Sequence, residues 1–351
     1  MAHRPNPGPG AREALELLSS VDAPALADAC RRDRATAITA RFMALVAARY
    51  GVAPECVVPT VGTHQGITQA LFALARPGDH AIVERPAFEP LHRVPETLGL
   101  SVSRLERRFE DQWRPLSDRL ARLLTPKTRA VILSNLHNPS GVAIETAELE
   151  AIAEMAARVG AQVFVDEVYL DFDFGADGKP WRPAAVAIDN GLSASSMTKV
   201  FGLSSVRVGW LVTRDPDVAE ALRHANAYFH VTPPLPSLVL ANAALERAEA
   251  LEALARTHSA RGRALVDAWL EGESRLRWVP PSAGQTGLLE LPPLTPDPVF
   301  CEHLRGRFDT QLVPGSLFEA PGFVRLSYNL PPAELERALG HISAALDELA
   351  P

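Results

Sequence analysis

Between about residues 51 and 212 the chain alternates short apolar runs with segments of helix length, and this alternation narrows the folds open to it. CVVPT leads into VGTHQG and the helical pattern ITQALFALA, and DHAIVERPAF reads as a strand ending in a proline-marked turn. Thr128–Ser134, TRAVILS, is nearly continuous in apolar residues. AELEAIAEMAARVG is an amphipathic helix stopped by Gly160, and QVFVDEVY is a further buried run. Strands that lack polar alternation and are separated by helices specify a mostly parallel central sheet covered by helices on both faces. Only that arrangement buries each strand on both sides.

The pattern changes after Trp210. Residues about 215–275 are Ala/Leu/Arg-rich helical stretches interrupted by VTPPLP at 231–236. Residues 276–351 mix short strands, including GLLEL and FVRLSY, with a final helix from Pro332. The expectation is an α/β fold with a large unit over 45–220 and a smaller α+β unit built from 1–44 and 221–351. The N-terminal segment joins the smaller unit because Ala11–Leu18 is helical in pattern but too isolated to fold alone.

Composition excludes several classes of function. With 47% hydrophobic and 22% charged residues the chain is too apolar for a disordered protein. A net charge of -7 and the lack of any Lys/Arg block argue against a nucleic-acid partner, yet leave room for a small acidic ligand at a local basic site. No segment approaches the run of about 18 apolar residues that crosses a membrane. Cys30, Cys56 and Cys301 lie far apart without metal-ligand spacing, which points to reduced thiols and a cytoplasmic location.

The chemistry gathers at the ends of the apolar runs. Lys199, in SSMTKVFGLSSVRVGW, sits among small residues before a glycine-marked turn, where its amine is available to form an imine. Ser196, Thr198 and Arg207 offer two hydroxyls and a fork of donors suited to one phosphate. Gly62-Thr63-His64 follows a strand and opens a helix, so its backbone N–H groups and the helix dipole suit the same anion. Asp166 emerges from the apolar run VFVD and needs a partner such as a protonated pyridine nitrogen; Tyr169 and Asn138 offer a phenol and an amide to a ring oxygen. Each residue alone also has an ordinary structural role: a surface ion pair for Lys199, a helix cap for Asp166, a core aromatic for Tyr169, an Asn-Pro turn for Asn138. Five sites at the ends of successive strands are harder to assign to packing together.

Together these segments resemble fold-type I pyridoxal-phosphate enzymes, particularly the class I/II aminotransferases. NLHNPSG is similar to their Asn-Pro-x-Gly turn, VDEVY to their Asp-x-x-Tyr strand end, and SSMTKVFGLSSVRVGW to the segment with the Schiff-base lysine and the phosphate-binding arginine. The spacings also agree, with 28 residues from Asn138 to Asp166, 33 to Lys199 and 8 more to Arg207. The resemblance implies an aspartate-aminotransferase-like large domain and the cofactor pyridoxal 5'-phosphate, held covalently by Lys199 and paired at its ring nitrogen with Asp166. It implies ring-oxygen contacts from Asn138 and Tyr169, phosphate contacts from Gly62, Thr63, Ser196, Thr198 and Arg207, and a stacking role for Phe88. His64 belongs to the same cofactor-binding turn, and Arg325 in GFVRLSYN matches the arginine that clamps the substrate carboxylate, beside Asn138.

Before residue 50 the resemblance fades. The tyrosine and the glycine-leucine-arginine segment usual in relatives have no clear equivalent, and Tyr50 lies too near the Gly62 turn to replace the tyrosine. The expected activity is amino transfer between an L-amino acid of neutral side chain and a 2-oxo acid, in a homodimer, with His64, His137 and Phe318 near the substrate. A carbon–sulfur β-lyase or an amino-acid decarboxylase is the alternative within the same chemistry. A cofactor-binding transcription regulator is disfavoured because the residues before Gly62 contain no convincing helix-turn-helix.

Overall fold

Alternate residues along the central strands enter two different cores, and this fixes the layering of the molecule. The computed structural model describes residues 21–29, 31–172 and 182–349. Ala81, Val83, Ala130, Ile132 and Phe164 pack with Ile67, Leu71, Leu91 and Leu222 on one face. Their neighbours Ile82, Val131, Leu133, Val163 and Val165 pack with Leu149, Ile152 and Ala156 on the other. Burying one such side chain contributes roughly 1.5–3 kcal/mol. The unbroken apolar strands therefore stabilise a sheet only where helices cover both faces, as they do here.

Among the described residues the sheet has seven strands: β1 (Val57–Thr60), β2 (His80–Arg85), β3 (Ser101–Glu106), β4 (Thr128–Ser134), β5 (Gln162–Asp166), β6 (Gly191–Ser196) and β7 (Gly209–Val212). Their spatial order is β1-β7-β6-β5-β4-β2-β3. The strands β3, β2, β4, β5 and β6 run parallel, whereas β7 lies antiparallel between β6 and β1. The fold is thus the expected large α/β unit with a mostly parallel sheet. The reversal at β7 has no mark in the apolar pattern, because a buried run reads alike in either direction.

A second, antiparallel sheet is formed by β8 (Arg277–Trp278), β9 (Thr286–Glu290), β10 (Val313–Pro314) and β11 (Phe323–Ser327), in the order β10-β11-β9-β8. It has its own core of Val266, Leu289, Phe300, Leu304, Val324, Leu335 and Ile342, closed by the helices Asp297–Phe308 and Pro332–Leu349. The helical region 215–275 resolves into Pro216–Phe229, Leu235–Leu245 and Ala248–Gly272. Of these, Leu235–Leu245 packs with the helix Ala35–Tyr50 in the core that also holds Trp210. The expected helix at Ala11–Leu18 lies outside the described residues. No described helix is long and apolar enough to cross a membrane.

One loop joins the two sheets next to the strand ends. The turn after β4 docks on the segment before β9: Ala143 N donates to Ser282 Oγ at 2.9 Å, and Ser282 N donates to the Gly141 carbonyl at 2.9 Å. Gly141 has φ +76°, and a Cβ there would lie 2.6 Å from the Thr286 carbonyl oxygen. Both facts require glycine at this crossing. The Asn-Pro-x-Gly spacing is therefore a packing requirement as well as a turn signal.

Candidate active site

The parallel register brings the chemically distinctive segments to one edge of the sheet. Ser134 lies opposite Asp166 on β4 and β5, and Asp166 lies opposite Ala194 on β5 and β6. The Asn138 turn, the Asp166–Tyr169 segment and the Ser196–Lys199 segment therefore leave the sheet together at its carboxyl edge, where open α/β sheets hold ligands. Because β7 is antiparallel to both neighbours, Gly209 pairs with Ser196 on one side and Thr60 on the other. This draws Arg207 and Gly62 to the same place.

Gly62 opens the helix Gly62–Leu74 with φ +76°, and a Cβ on it would sit 2.7 Å from Arg207 Nη2. Any larger residue would fill the space between the helix N-terminus and the guanidinium. The buried Thr63 Oγ1 has no hydrogen-bond partner among the described residues, and Thr198 N donates to Ser196 Oγ at 3.3 Å. A guanidinium, two hydroxyl-bearing turns and a helix N-terminus with spare donors make an anion site. His64 stands in the first turn of that helix, edge-on to Phe88 at 5.0 Å between ring centroids. Partial burial, then Arg207 and Lys199, lower the pKa of its imidazole.

The other end of the site is acidic. Asp166 is buried, accepts one hydrogen bond from Val168 N at 3.2 Å, and has no ion-pair partner among the described residues. Burial, with a contribution from Glu84, pushes its carboxyl up to about 7 against the opposing effects of the Val168 N–H and Lys199. The half-buried Lys199 holds Nζ 5.4 Å from the centroid of the Tyr169 ring. Asn138 Oδ1 accepts from Arg325 Nη1 at 2.9 Å, a contact between residues 187 apart in sequence. The Arg325 guanidinium lies over the Phe318 ring at 4.7 Å, and its buried Nε has no partner. Burial lowers the pKa of Arg325 from its ordinary value.

These features fit pyridoxal phosphate. The orphaned Thr63 hydroxyl and the Gly62–Arg207 gap suit a phosphate, and the buried, unpaired Asp166 suits a cationic ring nitrogen. Lys199 has an amine of the kind covalent attachment needs, and Phe88 has an aromatic ring of the kind that stacks on a pyridine.

The structure brings Gly62, Thr63, His64 and Arg207 to one end of the site and joins Asn138 to Arg325. His137, expected near the substrate, is turned inward instead. Its Nε2 donates to the Pro86 carbonyl at 2.9 Å and its Nδ1 contacts Ser140 Oγ at 2.6 Å, so both ring nitrogens are occupied by the turn itself. Tyr50 is in the core, where its hydroxyl accepts from Trp210 Nε1 at 3.1 Å. Three polar residues behind the site, Glu84, Ser134 and Arg107, were not singled out from sequence. The available signal was a glutamate directly after the apolar Ala81, Ile82 and Val83 of β2.

The family model for aminotransferase class I and II matches residues 31–342. Capreomycidine synthase of Streptomyces vinaceus is 30% identical over 339 residues, covering 96% of this chain and 83% of that protein. The aspartate/prephenate aminotransferase of Thermus thermophilus is 28% identical over 297 residues, covering 84% of this chain and 76% of the relative. Among solved structures, a PLP-dependent aminotransferase from Streptococcus suis superposes with a TM-score of 0.86 at 25% identity, covering 97% of this chain and 91% of the other.

Proposed function

The chain belongs to the class I and II aminotransferase family, and from that premise we propose that it transfers the amino group of a neutral L-amino acid to a 2-oxo acid. It is a pyridoxal-phosphate-dependent aminotransferase; the substrate and the roles given to single residues are our reading. When bound, the cofactor supplies an electron sink for the pair of electrons left at the substrate α-carbon. Lys199 Nζ would hold the cofactor covalently and, when its amine is free, would take the substrate α-proton as general base. Asp166 pairs with the ring nitrogen and keeps it protonated. Tyr169 and Asn138 donate to the ring oxygen. Because Asn138 Oδ1 already accepts from Arg325, its Nδ2 is the group left to donate. Phe88 covers a ring face, and Gly62, Thr63, His64, Ser196, Thr198 and Arg207 surround the phosphate.

The observation that carries the substrate assignment is Arg325. It pairs with no carboxylate among the described residues, is held by Asn138 and Phe318, and retains a buried Nε–H. A bidentate α-carboxylate satisfies that fork and orients the α-carbon. Arg207, drawn against the Gly62 turn, is assigned to the phosphate. No further arginine is then assigned to a side-chain carboxylate, which favours aliphatic or aromatic substrates. A panel of amino acids with one fixed 2-oxo acid tests this. Neutral amino acids should exceed aspartate and glutamate in kcat/KM by about tenfold or more. Preference for either acidic amino acid over every neutral one would overturn the assignment.

A second reading is favoured by one relative. Capreomycidine synthase, which is not named as an aminotransferase, matches 96% of this chain. Chemistry at the substrate β-carbon, including β-lyase activity, begins with the same α-proton removal and uses the same residues up to that step; amino-acid decarboxylation is disfavoured by a clamp that retains the carboxylate. The proposal further includes a homodimer, a cytoplasmic location, and a division into a cofactor-binding unit at 45–220 and a second unit of 1–44 with 221–351. Separate sheets and cores support two units, although Phe42, Leu222 and Leu238 pack in cores on the first sheet, so the described residues before 45 and those up to about 245 lie with the cofactor-binding unit.

A further inference from the structure

Behind the Asn138 turn lies a buried charged chain that none of these roles uses. Glu84, near the end of β2, and Arg107, directly after β3, have side chains that are both 0% exposed, and Arg107 Nη1 donates to Glu84 Oε2 at 2.7 Å. Arg107 Nε donates to the Trp113 carbonyl, and Nη2 has no partner. The other carboxylate oxygen of Glu84 accepts from Ser134 N at 2.8 Å and from the Ser134 hydroxyl. Every hydrogen-bond partner of this carboxylate is a donor. The Ser134 proton is thus committed to Glu84, and only lone pairs of Oγ face the turn. Asn138 N donates to one of them at 3.1 Å.

A buried ion pair is a poor device for stability, since desolvating two charges offsets much of their attraction and an apolar pair of similar volume does as well. An unsatisfied Arg107 Nη2 makes this pair poorer still. What the chain does achieve is direction: it fixes which way the Ser134 hydroxyl points, and through it the backbone of Asn138. We infer that Arg107, Glu84 and Ser134 are positioning residues that hold the Asn138 amide against the cofactor ring oxygen and Arg325. The inference rests on the ring-oxygen contact proposed for Asn138. The chain is not legible in the sequence because its members come from two strands, β2 and β4, and the loop after β3.

The test uses holoenzyme and reads the pH midpoint of the bound cofactor's visible absorbance, which reports proton affinity at the site without turnover. Asn138→Ala removes a donor from the ring oxygen and shifts the midpoint upward. Ser134→Ala should shift it in the same direction by at least half as much. The double variant should shift it no further than Asn138→Ala alone, because Ser134 acts through Asn138. Ser134→Cys, which keeps the volume but is a poor acceptor, carries the same expectation should the alanine variant not fold. If Asn138→Ala shifts the midpoint and neither Ser134 variant does, or if the shifts add in the double variant, the relay is overturned while the Asn138 contact stands. If Asn138→Ala leaves the midpoint in place, the contact itself is wrong and the relay falls with it.

Discussion

Lys199→Ala loses covalent attachment of the cofactor and at least about 10⁴-fold in turnover, because one amine both holds the cofactor and moves the α-proton. The chain makes this test unusually clean. It contains only three lysines, Lys127, Lys179 and Lys199, so borohydride reduction followed by peptide mapping has two competitors to exclude. Lys127 is exposed in the turn before β4, away from the carboxyl edge where Asp166 and Asn138 lie. Wild-type protein should carry the reduced label at Lys199 alone, and Lys199→Ala should carry none. Label at Lys127 or Lys179 in the wild type, or near-normal turnover in the variant, would contradict the assignment.

Asp166→Asn should lower turnover by about 10²-fold or more and, without cofactor, make the protein more stable at alkaline pH. Both effects have one cause, a carboxyl buried where only a cationic partner suits its charge. In the cofactor-free fold burial raises the Asp166 pKa from 3.8 to about 7. The folded state then binds this proton more tightly than the unfolded chain. The resulting stabilisation is complete below the unfolded pKa and is lost as pH rises through about 7, on the order of a few kcal/mol in all. The neutral amide has no such dependence. Urea unfolding of cofactor-free protein at about pH 5 and about pH 8 should show a steeper decline for the wild type than for Asp166→Asn. Equal slopes in the two proteins would mean that Asp166 is not a buried, unpaired carboxyl.

The sequence carried the central sheet and the polar ends of its strands. VFVD is apolar up to the residue that leaves the sheet, so Asp166 stands out as a polar group at a buried boundary. Gly62 and Gly141 were legible for a similar reason, since glycine marks a backbone that is left-handed or closely approached. Other features were not legible. Arg325 reads as a charged residue in an apolar strand, but its contact with Asn138 depends on the docking of one sheet's turn against another sheet, which no local pattern records. His137 looked like a substrate contact because it sits in the turn that carries Asn138. Only the positions of Pro86 and Ser140 reveal that it faces inward. The Glu84–Arg107 pair was hidden because each charge, taken singly, reads as an exposed strand end.

Amino transfer and β-carbon chemistry share Lys199, Asp166 and Arg325, and they differ in where the amino nitrogen finishes. The most direct measurement follows that nitrogen. Holoenzyme is incubated with a neutral L-amino acid labelled with ¹⁵N, first alone and then with an unlabelled 2-oxo acid. Alone, the protein should convert no more than one equivalent of amino acid per active site and release no ammonia. With the oxo acid present, turnover should continue and the label should appear in the newly formed amino acid. Continued turnover without an oxo acid, with the label released as ammonia, would contradict amino transfer and favour the β-carbon reading.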